Sequence, residues 1–351
     1  MNRYHFHKNF KLNGISFSSN AELLIYAQEL SFEIHLFLQS WFSNDDFIIV
    51  ETSGSTGVPK EIKLLKKHMI NSACATGDYF DLKENTSALL CLSVNYIAGK
   101  MMFIRALSLG WHLDVVHPDI HPLKDLKKKY DFSAMVPLQV EHSINSLNLI
   151  KTLIVGGGVV SPNLQQKIQH SCCVVFATYG MTETITHIAV KKLNNLKKMN
   201  STHVENSYYK ILPNIEIYKD QRDCLVINAP KVSNKIIFTN DIVSLISETQ
   251  FEWMGRFDTV INSGGVKLHP EKIEEKLAKI IASRFFVAGI SDSKLGKKLI
   301  LVIEGNPQEI NTMNVSLSKF EIPKEIYFVD EFVETKTRKI QRTKTLNLIR
   351  F

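Results

Sequence analysis

From about residue 46 the chain alternates short β-rich apolar runs with stretches whose apolar positions recur at helical spacing, the pattern of a largely parallel sheet covered by helices. "FIIVET" leads into a polar loop, "ALLCLSV" into the helical run "IAGKMMFIRALSL", and "LDVVH" follows as another buried strand. "KTLIVGGGVVSPNLQQKIQ" predicts a strand, a glycine turn and a helix capped by Ser161 with Pro162 in its first position. "CCVVFATYGMTET" is one more strand running into a polar loop. Beyond about residue 205 the helical spacing fades, and short strands punctuated by Pro, Asn, Asp and Gly predict a small β subdomain up to Trp253. "GRFDTVINSGGVKLHPEKIEE" then sets two glycine turns before a helix that starts at Pro270 and carries Ile273, Leu277, Ile280 and Ile281 on one stripe. The fold class expected is α/β: a large amino-terminal domain with helix-covered, mostly parallel sheets plus a small β subdomain, then a smaller α+β carboxy-terminal domain. The division falls at 1–255 and 256–351.

Composition narrows the function. A chain of 351 residues exceeds what one core usually holds, and 44% hydrophobic with 22% charged residues excludes disorder. The net charge of +7, from 42 Lys and Arg against 35 Asp and Glu, is scattered, which favours an anionic small molecule over a nucleic-acid groove. The densest basic run, "KDLKKKY" at 124–130, lacks interleaved aromatics and reads as a solvated helix face. Five cysteines, with Cys172 and Cys173 adjacent and no C-x-x-C spacing, define neither a disulfide framework nor a zinc site. "MNRYHFHKNF" has no signal-peptide core, and no apolar run reaches the ~18 residues of a membrane span, so a cytoplasmic protein with no membrane or nucleic-acid partner is expected. The sequence carries nothing that sets an oligomeric state.

The stretch "ETSGSTGVPKE" at 51–61 is rich in donors and short of bulk. Gly54 and Gly57 let backbone amides approach a ligand, Thr52, Ser53, Ser55 and Thr56 add hydroxyls, and Lys60 adds a cation, a set suited to a polyphosphate. It is not a Walker A loop, because Val58 and Pro59 separate Gly57 from Lys60 and Glu61 follows. Alone, it reads more readily as a plain surface turn. Four further stretches, "ATYGMTET", "FTNDIV", "GRFDTVINSGGVKLHPEKIEE" and "TKTRKIQR", share its order and spacing with the motifs of a known family. Together the five resemble the adenylate-forming, AMP-binding superfamily of acyl-CoA synthetases, over roughly residues 46–345.

The resemblance implies a role for each matching residue. Thr52, Ser53, Gly54, Ser55, Thr56, Gly57 and Lys60 would cradle the ATP phosphates, Thr182 would reach the α-phosphate, and Glu183 would hold Mg2+. Tyr179 would lie against the adenine beside Gly180, and Gly157 would let the base approach the backbone. Asp241 would bind the ribose hydroxyls, Arg256 would contact ribose and phosphate, and Asp258 would be the hinge of a mobile carboxy-terminal domain. Lys339 would bridge carboxylate and phosphate during adenylation. The chain departs from the family pattern at Asn240 and Arg338, where glycine is usual; asparagine tolerates the left-handed backbone a turn before Asp241 would need.

The implied chemistry is ATP-dependent activation of a carboxylic acid as an acyl-adenylate, followed by transfer to the thiol of coenzyme A. No Ser-His-Asp arrangement is required. The short amino-terminal region and "NYIAGKMMFIRAL" resemble the o-succinylbenzoate-CoA ligases of menaquinone biosynthesis. That substrate keeps a second carboxylate; Arg105 is the candidate anchor with Lys100, and Asn95 and Tyr96 are candidates to line the acyl pocket. His68, His112, His117, His121, His187 and His269 show no metal spacing and read as surface or packed residues, with His187, just beyond YGMTET, the one placed to touch the site. The alternatives are a ligase for another acyl or aryl acid, one that loads a carrier protein, or a nucleotide-binding homologue without chemistry.

Overall fold

The apolar alternation builds one large mixed sheet and one small one. The computed structural model describes residues 4–51, 61–196, 198–200, 203–204, 208–310, 315–335 and 340–349. In chain order its first half contains β1 (Lys11–Leu12), α1 (Asn20–Leu30), α2 (Phe32–Phe42), β2 (Phe47–Glu51), β3 (Glu61–Leu65), α3 (Lys66–Phe80), β4 (Ser87–Leu90), α4 (Ile97–Leu109), β5 (His112–Val115), β6 (Tyr130–Met135), α5 (Pro137–His142), β7 (Ile150–Val155), α6 (Pro162–Ile168), β8 (Val174–Gly180) and β9 (His187–Lys192). Then come β10 (Lys198–Asn200), β11 (His203–Val204), β12 (Tyr209–Ile211), β13 (Glu216–Lys219), β14 (Cys224–Asn228), β15 (Ile237–Ser247), β16 (Gln250–Arg256), β17 (Ile261–Ser263), β18 (Val266–Leu268), α7 (Pro270–Leu277), β19 (Phe285–Asp292), β20 (Gly296–Glu304), β21 (Glu325–Val329) and α8 (Arg342–Leu346).

The large sheet runs β1-β5-β4-β6-β7-β8-β9-β12-β16-β15-β14-β13. Pairing is parallel from β1 to β8 and antiparallel from β8 onward. Parallel strands covered on both faces are apolar throughout, and their alternate residues feed two cores. Ala88, Leu90, Phe132, Ala134 and Ile154 pack with α3 and α4 residues such as Met69, Met101 and Ile104, while Leu89, Met135, Leu153 and Val155 pack with Val140, Leu164 and Ile168 of α5 and α6. Helix α6 begins as its sequence predicts, with the Ser161 hydroxyl accepting from the Leu164 amide at 3.1 Å and Pro162 in the first turn.

The β-rich stretch after residue 205 carries the large sheet onward, because β12 pairs with both β9 and β16. Three sequence-based expectations change. The run "FIIVE" pairs antiparallel with β3 in a two-stranded sheet of its own and does not enter the parallel array. The basic run at 124–130 is not helical. It has no apolar stripe to bury, and Lys128 is drawn to Asp114 at 2.7 Å. Asn240 keeps an extended backbone inside β15, and a left-handed residue occurs instead at Asp223, φ 62°, in the turn between β13 and β14. The sequence reading also passed over α1 and α2, whose caps, Ser19 and Ser31, accept from the amides of Glu22 and Ile34.

The small sheet, β18-β17-β20-β19 with β21 added to β20, has its own cores. Val287, Leu299, Leu301 and Ile303 meet Ile273 and Leu277 of α7 on one face, and Phe286, Ile300 and Val302 meet Phe332 and Leu346 on the other. Glu274 on α7 ties these layers: its carboxylate accepts from the Val287 amide at 2.9 Å and from Arg342 at 2.8 Å. Burial pushes the Glu274 carboxyl up to about 7 against the pull of Arg342. The folded chain therefore holds this proton where the unfolded chain, near 4.5, has released it, so its contribution to stability falls as pH rises from about 4.5 to about 7. Thermal unfolding between pH 5 and pH 8 checks this: the midpoint of the wild type is expected to fall across that window, and Glu274→Gln to flatten the fall.

Candidate functional site

The site gathers at the carboxyl ends of β7 and β8 and on the β15–β16 hairpin. In β15, Asp241 lies opposite Arg256 of β16. The Asp241 carboxylate is buried, yet both oxygens are engaged: Oδ2 accepts from the Tyr179 hydroxyl at 2.6 Å and Oδ1 from the Trp253 indole at 3.2 Å. Arg256 stands 3.8 Å from Oδ1 and donates to Asp258 at 3.1 Å, so one guanidinium links the ribose and hinge candidates. Tyr179 is held edge-on by Tyr209 and Phe251, whose rings stack on each other at 5.4 Å. Burial, and then the Asp241 charge, raise the Tyr179 hydroxyl far above the usual range, so it stays a donor.

Beyond Tyr179 the backbone has no room for a side chain. A Cβ on Gly180 would stand 2.2 Å from the Thr186 carbonyl oxygen. The turn that follows is a 3-10 segment, Thr182–Thr184, whose Thr184 hydroxyl accepts from the Met181 amide at 3.0 Å. Ile185 then takes φ 68°, a costly conformation for a β-branched residue, and its buried side chain holds it there. The result leaves Glu183 exposed and Thr182 part-exposed at the head of the turn. Strand β3 packs beside this turn. The phosphate-loop candidates Thr52, Ser53, Gly54, Ser55, Thr56, Gly57 and Lys60, which precede β3, lie outside the described residues, as do Arg338 and Lys339. Gly157, exposed at φ 79°, follows β7 on the same edge of the sheet, where Val155 pairs with Ala177.

Among the described residues no group of three or more His, Cys, Asp or Glu side chains could hold a metal by itself. An exposed lone carboxylate such as Glu183 suits a hard dication that takes its remaining oxygens from phosphate and water.

A second group lies where α3, α4 and β9 meet. Arg105 is 1% exposed. Its Nε donates to the Thr76 hydroxyl at 3.2 Å, and that hydroxyl donates to the Ser72 carbonyl at 3.0 Å, which fixes the guanidinium plane. Its Nη2 is buried with no hydrogen-bond partner among the described residues, and the same holds for His187 Nε2. Burial lowers Arg105 to about 9, still charged at neutral pH, and burial with the nearby Arg105 charge keeps His187 neutral. Lys100 does not join this group; its ammonium donates to the carbonyls of Val94 and Asn95 and holds the loop that carries the exposed Asn95 and Tyr96. A cavity of about 180 Å3 lined by Asn71, Cys74, Asp78, His187, Leu212 and Lys231 borders the group. A wider depression lined by Tyr79, Phe176 and Pro213 contains none of the candidate residues.

The sequence reading missed Trp253 and Thr76. Trp253 sat in plain view three residues before Arg256, but indole donors have no sequence periodicity; Thr76 was signalled only by its helical spacing from Ser72.

A family model described as "AMP-binding enzyme" matches residues 18–225. The chain belongs to the AMP-binding enzyme family. Relatives within it include the 2-succinylbenzoate–CoA ligase of Lactococcus lactis subsp. lactis (strain IL1403), 24% identical over 319 residues that cover 84% of this chain and 69% of that protein. Among solved structures, an acyl-CoA synthetase (AMP-forming)/AMP-acid ligase II-like protein from Dyadobacter fermentans DSM 18053 is 35% identical, with a TM-score of 0.60, covering 91% of this chain and 95% of that one. The o-succinylbenzoate CoA synthetase from Bacillus subtilis in complex with its acyl-adenylate intermediate shares the fold at a TM-score of 0.70 and 20% identity, covering 84% of this chain and 68% of that one. In this AMP-binding enzyme, Tyr179, Asp241 and Arg256 come from separated stretches of sequence that the large sheet brings together.

Proposed function

We propose that this AMP-binding enzyme is an acid–thiol ligase that adenylates o-succinylbenzoate with ATP and passes the acyl group to coenzyme A, a step of menaquinone biosynthesis. The motif order and the named relatives support the reaction class. The observation that carries the substrate reading is the buried Arg105, whose Nη2 has no partner among the described residues. A guanidinium buried with one edge unsatisfied is costly unless an anion arrives to meet it, and a substrate with two carboxylates can offer the one that is not activated. Asn95 and Tyr96 would form the pocket's entrance and Lys100 its brace.

The remaining roles rest on the motifs that this chain shares with its family. Residues 52–57 and Lys60 would hold the phosphates, Gly157 and Tyr179 the adenine, and Asp241 with Arg256 the ribose. Thr182 would donate to the α-phosphate. Mg2+ at Glu183 would neutralise charge on the departing pyrophosphate. Lys339 would sit between the attacking carboxylate and phosphorus, where charge grows in the transition state. Residues 1–255 would be the stationary domain and 256–351 the mobile one, turning near Asp258.

ATP–pyrophosphate exchange with a panel of acids tests this. Exchange is expected with o-succinylbenzoate and not with benzoate or a fatty acid. The opposite result overturns the substrate, and no exchange with any acid overturns the ligase reading.

A further inference from the structure

Asp241 is fixed more tightly than a ligand-binding carboxylate at the surface would be. Its two oxygens offer roughly four acceptor sites. One site on Oδ2 is taken by Tyr179 at 2.6 Å and one on Oδ1 by Trp253 at 3.2 Å, which leaves one on each oxygen. The Asp241 amide is also engaged, donating to the Thr239 hydroxyl at 3.1 Å, and that hydroxyl donates to the Leu225 carbonyl at 2.7 Å. Both orienting donors are themselves built in. Phe251 and Trp253 lie two apart on β16 and therefore share a face, and Phe251 meets the Tyr179 ring edge-on at 5.2 Å. Arg256, at 3.8 Å, is too far to occupy a third acceptor site.

We propose that Trp253, together with the Tyr179 hydroxyl, is a positioning residue: the two donors turn the Asp241 carboxylate so that each oxygen presents one free lone pair to one of two neighbouring hydroxyls, and the pair thereby sets discrimination between ribose and deoxyribose nucleotides. The proposal rests on the reading of Asp241 as the ribose carboxylate. Without the indole N–H the carboxylate swings about its Cβ–Cγ bond, one oxygen loses its aim, and the missing 2′-hydroxyl of a deoxynucleotide matters less.

The experiment is calorimetric titration of ATP and of 2′-deoxy-ATP, each with magnesium chloride, into the full chain and into Trp253→Phe, Tyr179→Phe and Asp241→Asn. Wild type is expected to bind ATP at least about tenfold tighter than 2′-deoxy-ATP, and each of the first two variants to lower that ratio about fivefold by weakening ATP alone, the size of one ordinary hydrogen bond lost when one oxygen is no longer aimed. Two aromatic variants that each remove a single donor keep the test open if one fails to fold. A ratio unchanged in both while it collapses in Asp241→Asn overturns the inference and leaves the ribose reading standing. A ratio unchanged in Asp241→Asn overturns the ribose reading, and the inference with it.

Discussion

Lys339→Ala is expected to slow acid-dependent ATP–pyrophosphate exchange about 100- to 1,000-fold while thioester formation from a supplied acyl-adenylate stays within a few-fold of wild type. The asymmetry follows from where charge develops. In adenylation the attacking carboxylate and the α-phosphate approach each other as negative groups, and a cation set between them stabilises the transition state more than the bound substrates. In the second step a thiol displaces AMP from an adenylate already made, and no such repulsion remains. Lys339 lies outside the described residues; of its sequence neighbours, Glu334 and Ile340 form an antiparallel bridge, and the Gln341 amide donates to the Val333 carbonyl at 2.7 Å. Rapid-quench measurement of both half-reactions separates the outcomes. Equal loss in the two would remove Lys339 from its assigned place.

What the sequence made legible was whatever depends on local spacing. The helix at 97–109, the Ser161–Pro162 start of α6 and the Pro270 start of α7 are set by periodicity and caps, so they could be read directly. The stripe on α7 was read one turn too far: the helix ends at Leu277, and Ile281 is buried from the turn beyond it. Register and partner choice were not legible. Nothing local states that β12 joins β9, or that β2 pairs with β3, because those pairings are decided by burial summed over distant residues. The site divides in the same way. Asp241, Tyr179 and Arg256 stood in motifs, whereas the bond that joins Tyr179 to Asp241 spans 62 positions and belongs to the folded sheet. His187 stood out in sequence only by its place just beyond YGMTET, because a lone histidine has no spacing; burial next to Arg105 is what distinguishes it.

Arg105→Met is expected to raise the KM for o-succinylbenzoate about 100-fold and to leave the unfolding midpoint unchanged or higher. The two effects are opposed for one physical reason. In the free protein the guanidinium is buried, its Nη2 lacks a partner among the described residues, and the hydrogen bond from its Nε to the Thr76 hydroxyl brings no negative charge. A methionine of similar length fills the space between α3 and α4 without that desolvation cost, and Thr76 keeps its bond to the Ser72 carbonyl, so the substitution orphans no hydroxyl. Binding is where the loss appears. A substrate carboxylate brought into the same apolar surroundings without a cation loses a buried charge pair, for which about 3 kcal/mol is ordinary and corresponds to that 100-fold. An acid with only one carboxylate, added as a competing inhibitor, should not register the change. Steady-state kinetics with o-succinylbenzoate, with and without that inhibitor, beside thermal unfolding of the same preparations, decide the matter: a destabilised variant with an unaltered KM would make Arg105 a packing residue, whereas a stable variant blind to the second carboxylate makes it the anchor.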